Sequence, residues 1–91
     1  MPRRERWSVI GDILAALAHE RAKGDGARIS NVAARANIAY DRLQPYLDEI
    51  AAAGLILLST NGGVPELTPK GREFLRHYKA WTGVLEDFGL D

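Results

Sequence analysis

Side chains that can recognise nucleic acid stand close together near the middle of this 91-residue chain. Arg42 and Gln44 are two residues apart. In the major groove of DNA an Arg donates two hydrogen bonds to guanine, and a Gln pairs with adenine. Tyr40 precedes them with a hydroxyl group of the kind that often binds a phosphate. These residue types predict a DNA contact. The alternatives are a solvated helix face for Arg42 and Gln44, and an aromatic residue at the core edge for Tyr40.

Three further polar residues precede this group and suit phosphate contacts. Arg28 and Ser30 lie where a short helix is expected to start, and the free backbone N–H groups at a helix start favour an anion. Arg35 lies near the end of the same segment. Such contacts position a protein on the DNA backbone without reading its sequence. The alternative for all three residues is helix capping and ordinary surface charge.

Large apolar residues near the C-terminus follow steps of four, three, four and three residues, which is the rhythm of a coiled-coil seam. Packing against the first helix covers only the beginning of this segment, because a 20-residue helix is about 30 Å long. Exposed aromatic residues over that length imply a partner, and a two-fold homodimer is the commonest arrangement. We therefore predict a homodimer that pairs through Phe74, Tyr78, Trp81, Leu85 and Phe88.

Residues for catalysis or metal binding are not found in a recognisable arrangement. His19 and His77 are the only histidines, and neither belongs to a metal-binding motif or a carboxylate cluster. The chain has no cysteine, which excludes disulfides, thiol catalysis and Cys-ligated zinc. No glycine-rich phosphate loop follows a strand. The sequence thus predicts a protein that is not an enzyme and has no cofactor and no metal site.

The elements that position these side chains follow from apolar residues at three- and four-residue steps. A first helix is expected before Gly24, with Ser8 as a candidate cap. A short second helix is expected over about residues 30–35. Ser30 or Asn31 suits its N-cap, because a short side-chain oxygen accepts hydrogen bonds from exposed backbone N–H groups.

A tight turn and a third helix come next. Asn37 suits the turn because Asn tolerates the left-handed backbone conformation. The third helix is expected over about residues 40–53, and Gly54 is placed to terminate it. Pro45 lies inside this segment, where it removes a backbone hydrogen bond. We expect either a kink at Pro45 or a helix that starts later.

A small hairpin and a last helix complete the predicted order. Residues 55–60 and 64–67 suit two strands, joined by a turn at Asn61-Gly62-Gly63 because Asn and Gly accept positive φ. The turn lacks Lys and Arg, so we expect only a minor DNA backbone contact, through Asn61 or through main-chain N–H groups. Thr68 and Pro69 suit the cap and first position of the last helix.

This order predicts a mostly α fold with a small β-hairpin: a winged helix-turn-helix with a long C-terminal dimerisation helix. Residues 1–68 form the expected DNA-binding domain, and residues 69–91 form the dimerisation helix of the same compact unit.

Two stretches resemble a family of small archaeal winged-helix DNA-binding proteins, which are predicted transcriptional regulators or chromatin proteins. The resemblance implies that the last helix pairs with its mate in a dimer and that the third helix faces DNA. Ala39 stands where a capping residue is expected, and Pro45 where a polar or basic residue is expected. The stretches are Arg35-Ala36-Asn37-Ile38-Ala39-Tyr40 with Leu43-Gln44 and Tyr46-Leu47, and Gly54-Leu55-Ile56 with Leu67-Thr68-Pro69-Lys70-Gly71-Arg72-Glu73-Phe74-Leu75.

The net charge is zero, but the charges are unevenly distributed. Residues 1–47 carry eight basic and five acidic residues, and residues 48–91 carry four basic and seven acidic. The positive excess falls on the half that is expected to face DNA. It includes Arg3, Arg4 and Arg6, which form either an arm that follows DNA or a disordered tail.

Composition also bears on the class of protein. Hydrophobic residues make up 46% of the chain, which is typical of a folded domain. With no signal peptide or membrane span in the sequence, we expect a cytoplasmic, nucleoid-associated protein. The predicted function is a dimeric DNA-binding regulator with double-stranded DNA as partner. The alternatives are a winged-helix module that binds another protein, which net neutrality favours, and a chromatin protein that tolerates any sequence.

Overall fold

The computed structural model describes residues 5–59 and 63–89. Four helices and a two-stranded sheet follow one another in the order expected for a winged helix-turn-helix, which confirms the predicted fold class. A single 3-10 turn at Gly24–Gly26 separates the first two helices. The elements are α1 (Arg6–Arg21), α2 (Ile29–Ala36), α3 (Tyr40–Ala52), β1 (Ile56–Leu57), β2 (Glu66–Leu67) and α4 (Pro69–Asp87).

The core forms where α1, α2 and α3 meet. Leu14 and Leu17 of α1 are fully buried, and so is Val32 of α2. From α3, Leu43, Leu47 and Ile50 face the same core, as their spacing predicts. The predicted cap of α1 is wrong. The helix begins at Arg6 after Glu5, and the Ser8 N–H donates to the Glu5 carbonyl.

The helix-turn-helix is closed by Asn37, which adopts the predicted left-handed conformation with φ 58°. The Ile38 N–H donates to the Ala33 carbonyl across this turn (3.1 Å). At the other end of α2 the predicted side-chain cap is wrong. Arg28 occupies the N-cap position, where no side chain caps the helix. The Asn31 amide instead donates to a carboxylate of α1 (3.2 Å).

Helix α3 runs from Tyr40 through Pro45 without a break. A helix start after Pro45, which was one of the two expected effects of this proline, is therefore not observed. Gly54 terminates the helix as predicted, with φ 82°. The Leu55 N–H donates to the Ile50 carbonyl (3.1 Å), and the Gly54 N–H donates to the Ala51 carbonyl (2.9 Å). This pair of bonds is a Schellman motif, which satisfies carbonyls at the helix end.

The wing is shorter than the sequence predicts. Ile56 pairs with Leu67 and Leu57 with Glu66 in an antiparallel ladder of two residues per strand. The connection contains residues 60–62, so the prediction for Asn61 lies outside the described residues. The start of α4 is as predicted. Pro69 is at its first turn, and the Thr68 hydroxyl accepts from the Gly71 N–H (3.0 Å).

Candidate nucleic-acid interface

Tyr40 is the first residue of α3, and its side chain is 61% exposed. Its ring lines two adjoining depressions. One, of about 340 Å³, is also lined by Arg28 and Ser30 at the start of α2. The other, of about 280 Å³, is lined by Gln44 of α3 and by Leu58 beside the wing. The structure thus brings Arg28, Ser30, Tyr40 and Gln44 together on one exposed face, called here the Tyr40 surface.

The charged and polar groups of the Tyr40 surface differ in their partners. The Arg28 side chain is exposed and belongs to no ion pair among the described residues, so its guanidinium suits an incoming phosphate. The Gln44 amide donates to the Asp48 carboxylate one turn later (2.8 Å). That bond uses one of the two N–H donors of the Gln44 amide, whose carbonyl oxygen can accept a hydrogen bond.

Glu20 of α1 fixes the start of α2, and this residue was not among the predicted site residues. Its side chain is fully buried and accepts from the Arg28 backbone N–H (3.1 Å), the Asn31 amide (3.2 Å) and Arg35 Nε (3.3 Å). Lys23 Nζ lies 2.8 Å from the same carboxylate.

These partners set the protonation state of Glu20. The Lys23 ammonium, with help from the Arg28 N–H and the Asn31 amide, lowers the pKa of Glu20 to about 2, although burial acts in the opposite direction. The carboxylate is therefore ionised at neutral pH. A signal for this residue was present in the sequence, because Glu20 follows Leu17 by three residues on the buried stripe of α1.

Arg35 is engaged by this carboxylate and lines neither depression of the Tyr40 surface. Part of the positive charge of the N-terminal half is thus balanced by ion pairs within the protein, because Lys23 and Arg35 both neutralise Glu20. Arg6 also forms an ion pair within the protein. It is the first residue of α1 and pairs with Glu49 of α3, so it does not belong to an arm. Arg3 and Arg4 lie outside the described residues.

Arg42 lies on a different side of α3 from Gln44, because two residues along a helix correspond to a rotation of about 200°. It lines a separate groove of about 300 Å³ together with Arg6 and Glu49. Between the two sides, the exposed surface of α3 carries Asp41 and Asp48. Asp41 and Glu49 line the Arg42 groove, so the exposed surface of α3 carries three acidic side chains and one guanidinium.

A second notable surface lies at the other end of the molecule, where α4 crosses α1. The Tyr78 hydroxyl donates to the Asp12 carboxylate. Trp7 meets the Tyr78 ring edge-on (centroids 6.0 Å apart) and lies 6.4 Å from the Trp81 ring. The three rings of Trp7, Tyr78 and Trp81, with Phe74 and His77, line an apolar depression of about 480 Å³, called here the aromatic cleft. Packing on α1 thus extends farther along α4 than the sequence analysis expected.

This packing covers some residues of the predicted coiled-coil seam of α4 and leaves the others exposed. Phe74 and Tyr78 are half-buried and pack against the core, and Leu85 is also half-buried. The large side chains that stay exposed are Trp81, Val84 and Phe88. Trp7 and Val84 were not among the predicted interface residues, and their exposure depends on how α4 lies on α1.

Searches for other kinds of site gave no candidates in the described part of the chain. Residues 5–59 and 63–89 contain no group of three or more acidic or histidine side chains that could hold a metal ion. Within the same ranges no helix is both long enough and apolar enough to cross a membrane.

Comparison with known proteins agrees with the architecture. A comparison with protein families matches residues 3–85 to the winged helix-turn-helix family, so the match includes most of α4 as well as the three-helix core and the wing. Searches among curated proteins and among solved structures returned no match.

Proposed function

The chain belongs to the winged helix-turn-helix family, and from this premise we propose that it is a DNA-binding regulator that contacts double-stranded DNA through the Tyr40 surface. One observation carries the proposal. Arg28, Ser30, Tyr40 and Gln44 come from the starts of two helices, yet they adjoin on one exposed face beside the wing. In helix-turn-helix proteins the N-terminal end of the second helix of the motif, which is α3 here, meets base edges.

Each group has a distinct role in this proposal. Gln44 meets a base edge in the major groove, where its carbonyl oxygen accepts from a base amino group. Arg28, Ser30 and the Tyr40 hydroxyl bind phosphates and set the orientation of the protein on the duplex. Arg42 reaches a phosphate on the other flank of α3.

The carboxylates of α3 limit how the helix enters the groove. Asp41, Asp48 and Glu49 would repel phosphates if the whole exposed face lay along the DNA. We therefore propose that α3 enters by its N-terminal end, with its later turns directed away from the phosphates. Asn61 in the wing connection adds a minor backbone contact.

We further propose that two copies pair through residues 69–91, as the resemblance to archaeal regulators implies. Support comes from the exposed aromatic residues of α4, which include Trp81 at 48% and Phe88 at 74% exposure. A dimer presents two Tyr40 surfaces to one duplex, and the binding energies of the two contacts then reinforce each other. Such a protein acts on chromosomal DNA within the nucleoid, without a cofactor or a catalytic step.

The test is a titration of labelled duplex DNA followed by fluorescence anisotropy at several salt concentrations. We expect affinity to fall at least about tenfold between about 50 and about 200 mM salt, because bound phosphates release counterions. Tyr40→Ala weakens binding, and His19→Ala on α1 serves as the control, because His19 is exposed and lines neither depression of the Tyr40 surface. Absence of binding by the wild type at low salt contradicts the proposal.

A second candidate function is a winged-helix module that binds another protein. The observation that favours it is the acidic exposed face of α3, which carries Asp41, Asp48 and Glu49 against the single guanidinium of Arg42. That face complements a basic protein segment better than it complements DNA. If this is the function, the wild type fails the DNA titration while its fold and stability are intact. A chromatin protein that tolerates any sequence instead binds random and genomic duplexes with equal affinity.

A further inference from the structure

The exposed side of α4 carries a stripe that packing against α1 leaves uncovered. Three residues of α4, His77, Trp81 and Val84, and the C-cap residue Phe88 recur at steps of four, three and four residues, so they lie on one side of the helix and its end. Trp81 and Val84 are 48% and 45% exposed, and Phe88 is 74% exposed. The stripe is about 17 Å long, from the rise of 1.5 Å per residue. A small ligand in the aromatic cleft does not reach Val84 and Phe88, whereas a second helix covers all four residues.

The stripe is complementary to itself when two copies run antiparallel. In that arrangement each step towards the C-terminus on one helix is a step towards the N-terminus on the other. A register that sets Trp81 opposite the partner's Val84 also sets His77 opposite the partner's Phe88, because both pairs are centred on the same point of the helix, between Thr82 and Gly83. All four residues of each copy are then paired, and each pair forms twice, as a two-fold interface requires.

The aromatic cleft lies where the partner's Phe88 arrives in this register, because His77 and Trp81 line it. Building on the dimer of the proposed function, we propose that the Phe88 side chain of each copy fills the aromatic cleft of the other in an antiparallel α4 pair. The cleft walls are the rings of Trp7, Phe74, Tyr78 and Trp81, which accept a phenyl ring edge-on or offset. The partner thus supplies the side chain that completes the cleft.

Charge along α4 favours the same direction. Its first half carries Lys70, Arg72, Arg76 and Lys79 against the single carboxylate of Glu73, and its last turn carries Glu86 and Asp87. Antiparallel pairing places the basic half of one copy beside the acidic end of the other. Parallel pairing places the two acidic ends together, where like charges and aligned helix dipoles oppose association.

The absence of cysteine from the natural chain allows a direct test of direction and register. The double variant His77→Cys with Phe88→Cys is oxidised mildly and analysed by non-reducing gel electrophoresis. We expect a covalent dimer, because antiparallel pairing brings these positions within the short Cα separation that a disulfide requires. Phe88→Cys alone is the control, and we expect it to stay monomeric on the gel. A covalent dimer from Phe88→Cys alone overturns the proposal. So does the absence of one from the double variant at a protein concentration where sedimentation shows that variant to be dimeric, a condition needed because the loss of Phe88 weakens the dimer.

Fluorescence tests whether Phe88 fills the cleft, since Trp7 and Trp81 are the only two tryptophans. In sedimentation equilibrium we expect Phe88→Ala to raise the dimer dissociation constant about tenfold or more, as for an aromatic anchor in an interface. We expect a red shift of tryptophan emission in the resulting monomer. Phe88 is mostly exposed in a single copy, so the substitution leaves folding intact, and Leu57→Ala on the wing is the control.

The outcomes separate this proposal from the proposed function. A wild-type dimer whose affinity and emission do not respond to Phe88→Ala overturns the cleft insertion and leaves pairing through α4 in place. A wild type that is monomeric at tens of micromolar overturns both the insertion and the dimer. DNA binding is measured separately by anisotropy, so its presence or absence is not mistaken for either result.

Discussion

The Tyr78 hydroxyl donates a hydrogen bond to the Asp12 carboxylate, and this bond joins the middle of α4 to the first half of α1. The Tyr78 ring lies directly over Gly11, one residue earlier, where a Cβ atom would overlap the ring. The contact fixes which side of α4 faces the core and which side stays exposed. The aromatic cleft and the exposed stripe are both consequences of it.

Gly11→Ala should destabilise the protein by about 1–3 kcal/mol, because the added methyl group displaces the Tyr78 ring from α1. Urea unfolding measures the change. Gly83→Ala is the matched control: nothing lies within 4 Å of its added Cβ, and Ala in a helix interior is favoured over Gly by about 1 kcal/mol. Equal effects of the two substitutions would show that Tyr78 does not need the space at Gly11.

Glu20→Gln should lower stability at neutral pH and should flatten its pH dependence. The pKa of Glu20 is lowered from 4.5 to about 2 in the folded protein. Its carboxylate therefore contributes stability above pH 4.5, and this contribution is lost as the pH falls from 4.5 towards 2. Urea unfolding between pH 2 and pH 7 tests this. Glu73→Gln changes an exposed pair and serves as the control. A wild type and a Glu20→Gln variant with parallel pH profiles would contradict the assignment.

Arg28→Ala should weaken DNA binding and reduce the dependence of log Kd on log salt by about one, as expected for the loss of one phosphate contact. Arg35→Ala is the informative comparison, because its Nε binds Glu20 (3.3 Å). We expect Arg35→Ala to lower stability in urea while the salt dependence of DNA binding stays nearly unchanged. The reverse pattern would mean that Arg35, and not Arg28, contacts the phosphate backbone.

Asp48→Asn should strengthen DNA binding by about two- to threefold at low salt, because it removes a negative charge near the Tyr40 surface. The gain should disappear at high salt, where charges are screened. The carbonyl oxygen of Asn still accepts the hydrogen bond from Gln44, so the orientation of Gln44 is kept. Glu73→Gln in the first half of α4 is the charge-matched control, since Glu73 is exposed and pairs with Arg76 of its own helix. Equal gains from both substitutions would indicate a general effect of net charge.

Much of the architecture was predictable because its signals are local. Asn37 and Gly54 adopt left-handed conformations that few other residues tolerate, and they end α2 and α3 where the sequence predicts. Thr68 caps α4 through its own hydroxyl. The wrong predictions were also local. Ser8 and Ser30 have the chemistry of a cap, but α1 begins two residues before Ser8 and α2 begins one residue before Ser30.

By itself, the sequence determined the order of the elements, the apolar faces of α1 and α3, and the residue types available for DNA contact, since these depend on spacing along one chain. Only the tertiary structure decided which of them lie together. It groups Tyr40 with Arg28, turns Arg42 away from Gln44, and uses Arg35 to neutralise Glu20. The physical reason is that the direction of a side chain on a helix has functional meaning only after packing fixes the rotation of that helix. On α4 the contact of Tyr78 with α1 fixes the rotation, and it selects the stripe that is left for a partner.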